Sequence, residues 1–207
     1  MRTPFIGMMA VAGLIACASG ARAQEPMTAG REVVGGFLAG VPGMGDSDVY
    51  DYNYGLQFEY RHWFTQALGA GAWFGMEQWE AGDGTRHWDR ETEGDLRVIP
   101  LGLSGLLRVW SDVAWTVTVR AGVGYAWTDS DLRFTGVPGS AGIHVDDGWI
   151  AEIGFDVDYR LAERMTLFGG VMHRADVSRG RASFEGGPLQ DNHLQGMNFT
   201  LGLKWEL

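Results

Sequence analysis

The sequence predicts an all-β fold: a closed, eight-stranded, antiparallel up-and-down transmembrane β-barrel. Three observations lead to this prediction. Segments of about 10 to 14 residues alternate apolar with small or polar side chains, which is the period of a strand and not of a helix. The gaps between these segments are long and short in turn. A leader of the secretory type precedes them.

The leader has the composition of a signal peptide. Arg2 is followed by the charge-free stretch Thr3–Ala21, and Ala21-Arg22-Ala23 matches the small-x-small pattern of a signal peptidase site. Its apolar centre is shorter than the ~20 residues that a spanning helix needs. We therefore divide the chain into a signal peptide, residues 1–23, and an outer-membrane β-barrel domain, residues 24–207. A second route stays open, because Leu14-Ile15-Ala16-Cys17 resembles a lipobox, whose cysteine would be lipidated.

Composition excludes several classes of function. The net charge of −10 argues against a nucleic-acid partner, which would need stripes of Lys and Arg. Cys17 is the only cysteine, so neither a disulfide framework nor a thiolate metal site can form. Apolar residues make up 45% of the chain, which argues against disorder. Glycine is abundant, with 32 of 207 residues, without a matching rise in proline.

Eight segments qualify as strands, and the alternation is clearest in Trp149–Arg160, Trp115–Trp127 and Met197–Leu207. The remaining five are Glu32–Val41, Tyr52–Trp63, Leu68–Trp79, Leu96–Val109, which fits only from Ile99 onward, and Met165–Asp176. Residues 64–67, 110–113 and 161–164 are short turns, whereas residues 42–51, 80–95, 128–147 and 177–193 are longer, polar and rich in Gly and Asp. This asymmetry is typical of a membrane barrel with tight periplasmic turns and long external loops. An even strand number places both chain ends on the periplasmic side.

Alternation alone does not tell which face points inward. A soluble barrel or sandwich, with its apolar face inside, is the alternative. The leader, the loop asymmetry and a charge-free aromatic face favour the membrane barrel, because lipid offers the backbone no hydrogen-bond partners. We expect lipid-facing aromatic girdles near the strand ends, formed by Trp115, Trp127, Trp149, Tyr159 and Trp205.

The opposite parity carries glycines and charges of both signs. An eight-stranded barrel is narrow enough for side chains to fill it, so we expect glycines to supply packing room and the charges to pair. The hairpin registers place Arg120 near Asp156 and Glu152 near Arg174, within about two residues, and a pore lining is the alternative. The inward charges are Glu59, Arg61, Glu77, Arg108, Arg120, Glu152, Asp156, Asp158, Arg160, Arg174, Lys204 and Glu206. The inward glycines are Gly55, Gly69, Gly71, Gly75, Gly102, Gly122, Gly124, Gly154, Gly170 and Gly202.

From about residue 31 the pattern resembles the small eight-stranded outer-membrane barrels: the OmpA transmembrane domain, OmpX, the Ail/Lom group and the opacity proteins. The stretch Asn198–Leu207 resembles the C-terminal signal that the barrel-assembly machinery reads, although Leu207 stands where that family usually has Phe or Trp. The resemblance implies a monomer in contact with outer-membrane lipid and lipopolysaccharide, assembled through its C-terminal strand. Pro100 has no backbone N–H to donate to a neighbouring strand, so we expect it at a bulge near the outer rim.

His173 is the one enzymatic candidate. Its parity places it toward lipid, and the stretch His173-Arg174-Ala175-Asp176 resembles the His-x-Ser-Asn motif of outer-membrane lipid A deacylases. Ala175 has no hydroxyl, Asp176 replaces the asparagine, and the nearest hydroxyl, Ser178, has the opposite parity. A general base without a nucleophile cannot perform acyl transfer, so an interfacial structural histidine is the preferred interpretation.

The external loops are rich in carboxylates, which are the oxygen ligands that Ca²⁺ and Mg²⁺ prefer. They are Asp46, Asp48, Asp51, Asp83, Asp89, Glu91, Glu93, Asp95, Asp129, Asp131, Asp146 and Asp147. No stretch has the spacing of an EF-hand loop, so solvated acidic loops are the preferred interpretation. Trp88 and Phe134 are candidate adhesion contacts.

We therefore predict a non-catalytic outer-membrane protein with an envelope-structural or surface-interaction role, and assign no catalytic, cofactor-binding or metal-binding residue. The alternatives are a lipid A-modifying enzyme acting at His173 and a narrow pore.

Overall fold

The computed structural model describes residues 30–42, 50, 52–81, 86–87, 90–134, 142–177, 181–183, 190–191 and 194–207. The predicted signal peptide and Cys17 lie outside these ranges, as do Asp46, Asp48, Asp51, Asp83, Trp88, Asp89 and Ser178.

Eight long antiparallel strands form the barrel. They are β1 Arg31–Pro42, β2 Tyr52–Trp63, β3 Leu68–Ala81, β4 Arg90–Ser111, β5 Trp115–Ser130, β6 Gly148–Ala162, β7 Met165–Asp176 and β8 Gly196–Glu206. Each strand pairs with the next along the chain, and β1 also pairs with β8, from Glu32 opposite Glu206 to Pro42 opposite Gly196. Closure leaves no free sheet edge in the wall. The predicted eight-stranded closed barrel is confirmed.

Short turns connect the strands at one end, which we call the turn end, and the opposite end is the loop end. At the turn end, Thr65 Oγ1 accepts from the backbone N–H of Leu68 at 2.9 Å. Asp112 Oδ1 accepts from the backbone N–H of Trp115 at 2.8 Å. These contacts are typical of the turns that Thr and Asp favour, and they explain why these two hairpins reverse within a few residues.

The wall is apolar outside and polar inside. Phe37, Phe58, Leu103 and Leu201 are exposed on the outer face, whereas nine of the twelve inward charges are buried in the lumen. Of the other three, Arg108 and Glu206 are half-buried and Arg160 is exposed. All five predicted girdle aromatics face outward, with Trp115 and Tyr159 in contact near the turn end at 4.8 Å between ring centroids. A soluble barrel would reverse this orientation, so that alternative is wrong.

Strand β4 is longer than the alternation predicts. It begins at Arg90, six residues before Leu96, within a segment that the pattern assigned to a loop. Gly94 has a φ of 111°, a conformation that favours glycine. Glu93 and Asp95, which have the outward parity of Arg97 and Ile99, are polar, and therefore no apolar alternation marks this extension.

The loop ends contain short strands of their own. Arg133–Phe134 pairs with β4, and His144–Val145 pairs with Arg181–Ser183, which in turn pairs with Gln190–Asp191. The third and fourth loops therefore meet over the barrel. The sequence predicted these loops as polar connections and gave no sign of this pairing.

Pro100 does not lie at a bulge, contrary to the prediction. It stays in register opposite Ala126 of β5, and the irregularity of this strand lies between Arg108 and Trp110. On its other side, the pairing of β4 with β3 is interrupted between Phe74 and Glu77, and the register is the same before and after the interruption. A Cβ on Gly75 would lie 3.0 Å from the Pro100 ring, so the missing side chain makes room for a proline inside the wall.

The inward glycines supply packing room, as predicted. The clearest case is Trp73, which is 1% exposed in the middle of the lumen. A Cβ on Gly124 would lie 2.9 Å from its ring, one on Gly102 would lie 2.5 Å away, and one on Gly122 would lie 3.3 Å from its Nε1. Three glycines on β4 and β5 therefore form the surface against which one indole packs.

Candidate functional site

The lumen contains a continuous chain of ion pairs, which we call the ladder. Five carboxylates alternate with four cations, and each strand from β2 to β8 except β4 contributes at least one of them. From the loop end to the turn end the order is Glu77, Arg174, Glu152, Arg120, Glu59, Arg61, Asp156, Lys204 and Asp158. All of these side chains are buried. The predicted polar core of paired charges is confirmed.

The upper ladder is held by close contacts to guanidinium groups. Arg174 Nη1 donates to Glu77 Oε2 at 2.6 Å, and Arg174 Nη2 donates to Glu152 Oε1 at 2.7 Å. Arg120 joins Glu152 to Glu59 at 3.2 and 3.3 Å. Because a guanidinium carries five donors in a planar fork, one arginine can satisfy two carboxylates on different strands. The predicted proximity of Glu152 and Arg174 is confirmed.

The lower ladder corrects the other predicted pair. Asp156 contacts Arg61 at 2.8 Å and Lys204 at 3.1 Å, not Arg120. Asp156 lies opposite Thr118, which is two residues from Arg120 on the same inward face of β5. The predicted register of this hairpin was therefore correct to within two residues. The two partners of Asp156 reach it across the lumen, because Arg61 on β2 and Lys204 on β8 also point inward. Adjacent-strand register cannot reveal such contacts.

The space around the ladder is almost filled. The void beside Glu59, Arg61 and Arg120 measures about 10 Å³, which is about the volume that one water molecule requires. Lys204 Nζ also lies 4.9 Å from the centre of the Phe168 ring. Charged groups that fill a narrow barrel in this way form a packed core.

An apolar layer packs in the lumen above the ladder. Trp79, Leu96, Val98 and Ile150 point inward from β3, β4 and β6. Loop residues complete the layer: Tyr50, Leu132, Phe134, Ile143, Val145 and Leu194. Trp79 Nε1 donates to Glu77 Oε2 at 3.1 Å, which joins the layer to the ladder. Phe134 is 4% exposed, so the prediction that it is an external adhesion contact is wrong.

The sequence contained a sign of this layer. Leu96 and Val98 break the alternation of β4, since they are apolar residues at inward positions. Ile150 has the same parity as Glu152 on β6. These deviations mark where the lumen changes from charged to apolar, and the loop contribution carried no comparable sign.

At the turn end, Trp63 covers the lumen. Its Nε1 donates to Glu32 Oε1 at 2.8 Å, and the Arg108 guanidinium lies 4.2 Å from the centre of its ring. Below it a cavity of about 570 Å³ opens at this end, bordered by Arg160 and Glu206 among others. The inward charges that are not in the ladder therefore line this mouth.

His173 faces outward and is exposed, as its parity predicted. It stands opposite Ile153 and Met197 in an apolar stretch of the wall. Ala175 is the next outward residue of its strand, and it brings no nucleophile to the imidazole.

The loop carboxylates within the described ranges do not converge on a metal site; among the described residues, no group of three or more potential ligands meets. Asp147 Oδ1 instead accepts from Thr128 N–H at 2.8 Å, and Asp95 Oδ2 accepts from Gln78 Nε2 at 2.8 Å. Glu93 pairs with Arg133 at 3.1 Å. Within the part of the chain that the structure describes, no helix is long and apolar enough to cross a membrane.

Several solved structures share this fold. The outer membrane protein OprG from Pseudomonas aeruginosa is 15% identical with a TM-score of 0.65, over 87% of this chain and 96% of that one. A major outer membrane protein from Thermus thermophilus is 13% identical with a TM-score of 0.54, over 87% and 100%. Ail of Yersinia pestis, the attachment invasion locus protein, is 14% identical with a TM-score of 0.52, over 87% and 100%.

No protein-family model matches the chain, and no curated protein sequence matches it. At these identities the solved structures establish the fold alone, and the orientation of the wall supplies the rest of the argument. A closed sheet with an apolar, aromatic-girdled exterior is suited to lipid, where every backbone donor must be paired internally. The chain therefore has the fold of the small eight-stranded outer-membrane barrels, and its apolar exterior is suited to a lipid bilayer.

Proposed function

We propose that this protein is a sealed outer-membrane barrel with a non-catalytic, envelope-structural and surface-contact role. The observation that supports this proposal is the filled lumen, in which the ladder continues directly into the apolar layer through the Trp79–Glu77 contact. A channel needs a hydrated path, and water is displaced here by paired charges below and by packed side chains above. In a barrel with a filled lumen, only the outer wall, the loops and the mouth at the turn end are accessible for interactions with lipid or with other molecules.

Planar-bilayer recording tests the seal. We expect the folded protein to show no stable unit conductance in symmetric salt, and a reproducible unit step would contradict the proposal. The double variant E152A/R174A is the matched control, because it removes one anion and one cation of the ladder without changing the net charge. We expect brief openings of this variant, since water can enter the space that the two side chains vacate. The cold-SDS mobility shift on boiling confirms that both proteins are folded.

The proposal also states that the protein does not process lipid A. The support is chemical, since His173 stands on the lipid face without a hydroxyl beside it on its own strand. Incubating the reconstituted barrel with lipid A should release no acyl chain. Release that disappears in H173A would instead establish the enzyme.

We further propose that β8 carries the assembly signal, with Trp205 in place of a C-terminal aromatic residue. Trp205 faces outward and is exposed, and Leu207 N–H donates to Arg31 O at 2.9 Å. Replacing Trp205 with Ala should slow assembly into the outer membrane, whereas the matched change L207F should not. Unchanged assembly of W205A would remove this proposal.

A further inference from the structure

The cavity of about 570 Å³ at the turn end, which we call the mouth cavity, contains charges that the barrel leaves unpaired. Five charged residues line it: Arg31, Glu32, Arg108, Arg160 and Glu206. Arg108 and Glu32 contact each other at 3.7 Å. The side chains of Arg31, Arg160 and Glu206 form no ion pair and no hydrogen bond with any described residue. In the ladder, by contrast, every charge has a partner of opposite sign.

Two carboxylates meet where β1 closes on β8. Glu32 lies directly opposite Glu206 in the register of these strands, and both have the inward parity. Like charges that are directly opposite on antiparallel strands repel each other. Glu32 accepts from Trp63 Nε1 at 2.8 Å and lies beside Arg108, whereas the Glu206 carboxylate has no comparable contact. A cation bound beside Glu206 would offset this repulsion, so the position favours an ammonium group.

The two unpaired guanidinium groups favour anions at the same cavity. Arg160 lies near the end of β6 and Arg31 at the start of β1, and both are exposed. A guanidinium matches the geometry of a carboxylate with two parallel hydrogen bonds. The chain has 26 acidic residues against 16 basic ones, yet the unpaired charges of this cavity are two cations and one anion. The mouth cavity is therefore locally basic in an acidic protein.

The carboxylates next to the mouth cavity are already engaged. Asp112 and Asp158 border the smaller adjoining cavity of about 30 Å³. Asp112 Oδ1 accepts from the backbone N–H of Ala114 at 2.9 Å. Asp158 contacts Lys204 at 2.7 Å. The Tyr60 ring, 43% exposed, adds an apolar surface to the mouth cavity, whose volume lies in the ~300–1,000 Å³ range of ordinary ligand sites.

We propose that the mouth cavity binds a short acidic peptide that carries a free amino group. The ammonium of the peptide contacts Glu206, and its two carboxylates contact Arg160 and Arg31. Such a ligand carries the complement of the unpaired charges, whereas a simple anion or a simple cation satisfies only one sign. This inference goes beyond the proposed function and depends only on the turn end. Conductance in a bilayer would therefore leave it intact.

The probe is the tripeptide Ala-Ala-Glu, which has one amino group and two carboxylates. It is titrated into the folded barrel in detergent, and ligand-observed NMR measures the Kd, which we expect at about 1 mM or tighter. N-acetyl-Ala-Ala-Glu lacks the ammonium, and Ala-Ala-Gln lacks one carboxylate at almost the same size. Each should bind about tenfold more weakly, because each loses one charge-assisted contact. Equal affinities for the three peptides, or no saturable binding of Ala-Ala-Glu, would overturn the proposal.

Variants assign the contacts. Arg160→Gln should weaken the binding of Ala-Ala-Glu about tenfold, and Arg31→Gln repeats this test if the first variant does not fold. Glu206→Gln should bind the free and the acetylated peptide equally, because the ammonium has lost its partner. Arg164→Gln is the matched control, since Arg164 is exposed in a turn at the same end and does not line the cavity.

The cold-SDS mobility shift checks that each variant is folded, which we expect because none of these side chains has a described partner to lose. Arg164→Gln should bind Ala-Ala-Glu as tightly as the unchanged protein. Full affinity in the folded Arg160→Gln or Arg31→Gln protein would contradict the proposal. So would a remaining preference of Glu206→Gln for the free amino group, or an equal loss of affinity in Arg164→Gln.

Discussion

The two parts of the lumen are built on the same strands with the same parity, yet they exclude water by different means. In the ladder, groups such as Arg120 contact two partners of opposite charge, so the stability of each depends on its neighbours. In the apolar layer, Leu96 and Val98 stabilise the fold by filling space among apolar neighbours, and neither requires a partner of a particular charge. The difference lies in what a deletion leaves behind: an unpaired charge in the ladder and an empty space in the layer.

This difference affects specificity as well as stability. Buried ion pairs often stabilise no more than apolar residues of the same volume, but a misplaced partner is strongly unfavourable. A slip of one residue would turn the ladder charges toward lipid. The ladder therefore favours one register, a requirement that the apolar layer does not impose so strongly.

The largest expected effect comes from breaking the ladder. Asp156→Ala leaves Arg61 and Lys204 without their shared carboxylate, and we expect a loss of about 4 kcal/mol in the free energy of unfolding. Urea unfolding in vesicles measures it. Asp129→Ala removes an exposed aspartate and should change stability by less than about 0.5 kcal/mol. Equal midpoints for the two variants would show that the ladder charges are not mutually dependent.

A slightly smaller effect is expected in the apolar layer. Leu96→Ala should lower the free energy of unfolding by about 3 kcal/mol, because it removes buried surface and leaves a cavity. Leu96→Met keeps the volume and should lower it by less than about 1.5 kcal/mol. If the methionine variant is as unstable as the alanine variant, the stability of the layer depends on the shape of its side chains and not only on their volume. The layer would then resemble the ladder in requiring specific contacts.

Packing in the middle of the lumen can be tested at Trp73, which lies opposite Glu59 of the ladder. Gly124→Ala would place a Cβ 2.9 Å from its ring and 2.7 Å from the Leu101 carbonyl oxygen, so we expect a loss of about 2 kcal/mol. The control is Gly105→Ala on the outer face, where the nearest atom is 3.9 Å away. Thermal midpoints in detergent should fall for G124A and stay within about 2 °C for G105A. An equal fall of the thermal midpoint in both variants would mean that the loss of stability comes from backbone strain and not from packing against Trp73.

The smallest effect is expected for an ion pair outside the lumen. Glu93 and Arg133 contact each other at 3.1 Å with about half or more of each side chain exposed. Arg133→Ala should lower the free energy of unfolding by ~0–1 kcal/mol, and raising the salt concentration should remove that difference. A loss as large as that of Asp156→Ala would show that burial is not what distinguishes the ladder.

Sequence reasoning was most accurate where one strand contains the information. The outward girdle, the inward glycines and the lipid-facing position of His173 all follow from period-two alternation and are confirmed. It was least accurate where distant strands meet. Arg61 and Lys204 reach Asp156 from across the lumen, and Phe134 turns inward from a loop.

Pro100 shows the same limit within the wall. Proline cannot donate a hydrogen bond to a neighbouring strand, which is a local property, and so the pattern predicted a bulge. The residue opposite it is Gly75, whose missing side chain allows the ring to stay in register. Only the pairing of β3 with β4 brings these two together.

The sequence by itself determined the strands, their parity and the order of turns and loops, because each depends on residues that are neighbours in the chain. The tertiary structure decided which charges pair and which apolar side chains fill the lumen at the loop end. These depend on the circular arrangement of eight strands, which brings residues that are 95 and 97 positions apart into hydrogen-bond contact.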